Sequence, residues 1–105
     1  MPWSHLAAYF WAGVFSANFV PHFVSGVLGR QFPTPFASPP FRGLSSARVN
    51  VLYGLFNLGV VHTLLSRVGD FTPRSPLHAG AFGIGLGVWS LMITRSLGRL
   101  ERGAG

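Results

Sequence analysis

The stretch Val49-Asn-Val-Leu-Tyr-Gly-Leu-Phe-Asn-Leu-Gly-Val-Val-His-Thr-Leu-Leu-Ser66 contains no acid, no lysine and no arginine. One ionised group at mid-bilayer costs about 2.5 to 3.5 kcal/mol on insertion scales, so a long gap between charges is the mark a membrane leaves on a sequence. At about 1.5 Å of helix per residue, this gap alone crosses most of a hydrocarbon layer about 30 Å thick. Two similar gaps flank it. No charge precedes Arg30, and none falls between Ser75 and Thr94. Over the 105 residues only 10% are charged and 49% are hydrophobic, against about 25% charged in an ordinary soluble domain. So few charges cannot cover a water-facing surface, which argues against a soluble enzyme, a disordered tail or a nucleic-acid-binding domain.

These gaps predict an all-α, polytopic integral membrane protein with three transmembrane helices in one membrane domain. Helix 1 covers residues 3–29, longer than a span of about 20 residues needs, and Pro21 offers a bend. A cleavable leader would want a basic start, a shorter apolar run and a small-residue cleavage site, and none is present. Helix 2 covers residues 48–67, with a serine of the Ser45-Ser46 pair as cap and Leu44 as a hydrophobic staple. Residues 68–76 form a turn whose prolines stop the helix, helix 3 covers residues 77–97, and residues 98–105 form a basic tail. A connection this short predicts that helices 2 and 3 are antiparallel neighbours.

Arginine supplies every basic charge. Three spans place Arg30, Arg42, Arg48, Arg95, Arg99 and Arg102 on one side, against Arg67 and Arg74 on the other. That asymmetry predicts a bacterial inner or plasma membrane protein with its N-terminus outside and its C-terminus cytoplasmic. The larger group then faces anionic lipid headgroups, and nucleic acid is not needed as a partner.

The loop of residues 30–47 contains Phe32, Phe36 and Phe41 among four prolines. Proline forbids regular helix, and the rings are too apolar for a free linker. The loop is expected to lie in the headgroup layer, to fold against the helix ends or to dock another subunit.

On helix 3, Ala79, Gly83, Gly87, Ser90 and Thr94 recur at three- and four-residue steps and predict a packing seam. Ala81 and Gly85 mark a second, shorter small face. In lipid, close backbone approach replaces the missing hydrophobic drive between helices. Such a seam serves either the chain itself or an oligomer or partner.

Polar residues within the spans are the candidates for chemistry. Asn18, His22 and Ser25 share one face of helix 1, and Asn50 and Asn57 share one face of helix 2 at overlapping depth. Facing each other they form a polar cleft. That cleft serves interhelical hydrogen bonding or a lipid- or quinone-like ligand, with His22 as donor and the asparagines orienting it. His62 points away from Asn57, toward helix 3 or a partner.

No cofactor is expected. A haem shared by His22 and His62 fits poorly, because the two sit at different depths. His5 and His78, near the other end, lack a carboxylate companion and make an incomplete metal shell. Cysteine is absent and the only acids are Asp70 and Glu101, so no carboxylate pair, nucleophilic triad or phosphate loop can be assembled. The sequence therefore points to a non-enzymatic accessory or interaction subunit bound to lipid, to a partner or to itself. The alternative is a small-molecule binding or carrier module.

Overall fold

The structure, a computed structural model, describes residues 3–40 and 43–104, with side chains described through residue 98. Among the described residues it is all-α, with three helices and no strand: α1 (Trp3–Val27), α2 (Ala47–Thr63) and α3 (Pro76–Ala104). A π-helical turn, Leu64–Val68, continues α2. Two segments, Ala47–Val68 and Pro76–Gly98, are long and apolar enough to cross a membrane. α1 has the length but is less apolar. It continues through Pro21, and α3 continues into the segment expected to be a tail.

The helix ends follow from local chemistry. Gly29 adopts φ 74°, the left-handed conformation that glycine takes without strain. This lets Arg30 N–H donate to Ser25 O (2.9 Å) and Gly29 N–H to Gly26 O (3.0 Å), the paired bonds that close a Schellman terminus. Ser46 caps α2, its Oγ accepting from Val49 N–H at 3.2 Å. Leu44 forms no staple; it stands 58% exposed, because the chain enters α2 through a pairing of Ser45 with Phe32 instead.

α1 is the middle helix. It packs along α2 on one side and α3 on the other, while no residue of α2 comes within 8 Å of α3, Cα to Cα, among the described residues. The expectation that α2 and α3 are neighbours is therefore overturned. The reason lies at Tyr9, which is 0% exposed. Asp70 N–H donates to its Oη at 2.8 Å, and a Cβ on Gly69 would sit 2.5 Å from its ring. Phe71 and His78 close on the same ring, with centroids 5.2 and 4.5 Å away. The turn is thus carried across α1, and α3 descends on the far side. α1 runs antiparallel to α2 and parallel to α3.

Both seams of α1 are close. On the α3 side, a Cβ on Gly13 would lie 2.0 Å from Phe82 O, and one on Gly85 would lie 1.9 Å from Phe10 O. The α3 face that packs is therefore the shorter one, around Gly85. Ala79, Gly83, Gly87, Ser90 and Thr94 are all exposed, so the longer stripe is not an intramolecular seam.

Candidate functional site

Asn18 ties α1 to both of its neighbours. Its Nδ2 donates to Asn57 Oδ1 at 3.1 Å and to Tyr53 Oη at 3.3 Å, and its Oδ1 accepts from Trp89 Nε1 at 3.3 Å. Asn57 is 0% exposed, and its own Nδ2 donates to Tyr53 O at 2.6 Å. Both amides are thus engaged within the chain at oxygen and nitrogen alike.

One turn further along α1, His22 Nδ1 lies 2.8 Å from Asn50 Oδ1. Asn50 is also 0% exposed, and its Nδ2 donates to Phe32 O, Ser45 O and Ser46 O at 3.1, 3.2 and 3.0 Å. Asn50 therefore clamps the proline-rich loop onto the α1–α2 seam. The loop's own bonds support it: Phe32 and Ser45 pair through their backbones, and Thr34 Oγ1 meets Ser45 Oγ at 2.6 Å. Phe32 lays its edge against His22 (5.2 Å) and Phe36 against Tyr53 (5.3 Å), although Phe36 remains 70% exposed. Of the loop's expected outcomes, folding against the helix ends describes these two residues. Phe41 and Arg42 lie outside the described residues.

The structure thus brings Asn18, His22, Asn50 and Asn57 together, but the space between α1 and α2 is filled by their mutual hydrogen bonds. The open space lies on the other side of α1. A cleft of about 300 Å³ runs between α1 and α3, with Asn18 and His22 in its lining, Pro21 and Phe32 on one side and Trp89, Met92 and Ile93 on the other. Ser96 adds a hydroxyl to this lining. Ser25 is half-buried and is not part of it. A second hollow of about 320 Å³ lies outside α2, between Phe36 and Leu52, Tyr53 and Phe56, and its lining is apolar.

His62 is exposed and engages its own helix: Ser66 Oγ donates to His62 O at 2.6 Å. His22 lines the cleft between α1 and α3, and His62 lines neither of these two hollows. His5 and His78 both adjoin Tyr9, at 6.4 and 4.5 Å between centroids. His78 Nδ1 accepts from Thr72 N–H at 2.9 Å. Its Nε2 is buried without a hydrogen-bond partner. Among the described residues no three His, Cys, Asp or Glu side chains gather where they could hold a metal.

Arg30, Arg48 and Arg95 are exposed and lie at one end of the three-helix unit, while Arg67 and Arg74 belong to the other. The side chains of Arg99 and Arg102 lie outside the described residues.

Sequence reasoning missed Tyr53, Trp89 and Tyr9. The signal was available in principle, since a buried Tyr or Trp needs a partner for its polar tip. No family model, curated protein or solved structure matches the chain.

Proposed function

We propose that the protein crosses the membrane three times and acts by association, as a small accessory subunit of a larger membrane assembly or of a homo-oligomer. The charge-free lengths support three spans. α1 carries no charge between Trp3 and Val27, and its 25 residues cover about 37 Å of helix. Its lower hydropathy fits its place in the middle, where Asn18 and His22 turn toward neighbours and not toward lipid. The arginine asymmetry supports an arrangement with the N-terminus outside and the C-terminus in the cytoplasm, in a bacterial inner or plasma membrane. The arginine-rich rim suits anionic headgroups.

The observation that carries the association reading is the exposure of all five residues of the α3 stripe. Among the described residues, Gly80, Gly83 and Gly87 have nothing within 4 Å of the position a Cβ would take. Each glycine in a helix interior costs about 1 kcal/mol relative to alanine, and within this chain no close approach offsets that cost. A neighbouring helix from another chain would, through the close packing that small residues permit in lipid.

The test is extraction of tagged protein in mild detergent. The wild type should run with a stoichiometric companion or a second copy of itself, and the double substitution Gly83→Leu, Gly87→Leu should release it while leaving the helical content intact. A wild type that runs as a solitary chain contradicts the reading. The second reading, a binding module for a lipid- or quinone-like molecule, is supported by the cleft between α1 and α3.

A further inference from the structure

Asn50 fixes the proton on His22. Its Nδ2 faces three backbone carbonyl oxygens, Phe32 O, Ser45 O and Ser46 O, and carbonyls only accept. The amide therefore has one orientation in this network, with its Oδ1 turned to His22 Nδ1. An amide oxygen also only accepts, so Nδ1 carries the proton, and the neutral ring has its lone pair on Nε2. Nε2 makes no hydrogen bond among the described residues, and the cleft that His22 lines is the one between α1 and α3. His22 is thus a donor toward Asn50 and an acceptor toward the cleft.

The rest of the lining narrows the chemistry. Asn18 has committed both its N–H groups to Tyr53 and Asn57 and already accepts from Trp89, so it offers a ligand no donor. Trp89 has spent its N–H on Asn18 and presents ring surface. Phe32, Pro21, Met92 and Ile93 are apolar. What remains is an apolar cleft of about 300 Å³, walled partly by rings, with the unpaired His22 acceptor and the Ser96 hydroxyl. His22 itself is only 5% exposed, so its acceptor is held by packing and by Asn50 and does not swing freely.

The geometry points to a binding site for a hydroxylated aromatic ring, a quinol-type headgroup, whose O–H donates to His22 Nε2. The ring replaces water or lipid against Trp89 and Phe32, and its hydroxyl supplies the one proton the cleft lacks. A quinone has only acceptors and would set a carbonyl oxygen against the His22 lone pair, so the site favours the reduced headgroup over the oxidised one. An acceptor that a bound ring covers without giving it a donor is costly, which is why a site built to meet an O–H rejects an analogue lacking it. This deepens the binding-module reading and is independent of the α3 stripe.

The test uses full-length protein in detergent micelles, with 15N in the histidine rings, and 2,3,5,6-tetramethylhydroquinone kept reduced under anaerobic conditions. The His22 resonances, assigned by their loss in His22→Phe, should show the proton on Nδ1. The Nε2 resonance should shift saturably as the diol is added. The dimethyl ether of the same ring keeps its size but has no O–H, and it should bind at least tenfold more weakly.

Met92→Trp, which fills the cleft without touching His22, should abolish the shift while the Nδ1–H tautomer persists. The Gly83→Leu, Gly87→Leu protein should bind the diol as the wild type does, so a failure of the association reading leaves this one standing and the reverse. A proton found on Nε2, equal binding of diol and ether, or binding unaffected by Met92→Trp would overturn the proposal. Dodecanol bound as tightly as the diol would overturn its aromatic part.

Discussion

The two seams of α1 are held by different chemistry. Toward α2, side-chain amides join the helices through Asn18 with Asn57 and His22 with Asn50. Toward α3, the backbones themselves touch at Gly13 and Gly85, with the Trp89 bond to Asn18 as the added polar tie. In lipid neither seam gains from excluding water, so each needs either a hydrogen bond or a close approach. A helix that supplies both must carry polar groups on one face and small ones on the other. That explains why the most enclosed helix falls short of the hydropathy that the other two reach over a membrane-length window.

Substitutions break the two seams unequally. Gly85→Ala should have the largest effect, because even a methyl group would sit 1.9 Å from Phe10 O and the helices must part. A loss of about 3 kcal/mol is expected in reversible SDS unfolding. The same change two residues away, Gly83→Ala, meets open space and should stabilise the isolated chain by up to about 1 kcal/mol. Equal effects at the two sites would mean that α3 packs on α1 through its other face.

Next comes Asn50→Leu on the α2 seam. It removes the acceptor of His22 and the two N–H groups shared among three loop carbonyls, and so unclamps the loop, for an expected loss of about 2 kcal/mol. Faster proteolysis between Arg30 and Ala47 should accompany it, and an unchanged cleavage rate would show that the loop is held by something else. The smallest effect belongs to the crossing turn. Tyr9→Phe keeps the ring and removes one bond to Asp70 N–H, so about 1 kcal/mol should be lost, with hydrogen exchange at Asp70 accelerated. Unaltered exchange there would remove Tyr9 as the post on which the turn rests.

Much of this architecture was legible in the charges. Gaps between arginines located all three helices, and the Ser45-Ser46 pair marked an end that the Ser46 hydrogen bond then made. The polar residues of α1 and α2 were also legible as a set, because Asn18, His22, Asn50 and Asn57 recur on helical faces at matching depth. Which helices touch was not. A short connection ordinarily makes neighbours, and only the burial of Tyr9 under Gly69 and Asp70 carries α3 past α1.

Nor does spacing reveal which small face of α3 packs. Gly85 and Gly83 lie on stripes of the same period, and the choice is made by the fit of Phe10 and Phe82 across the seam. Asn50 looked like a ligand group because its partners, three loop carbonyls, carry no side-chain signature. The cleft went unread because it is built mostly from apolar residues of α3, which in sequence resemble any lipid-facing surface.

The claim on which the rest depends is that α1, despite its lower hydropathy, crosses the membrane between the other two helices. Native cysteine is absent, so single cysteines report topology without background. Ser4→Cys and Thr72→Cys should react with an impermeant maleimide added to intact cells, and Ser38→Cys should react only after the membrane is opened. Labelling of Ser4→Cys and Ser38→Cys from the same side would show that α1 does not span.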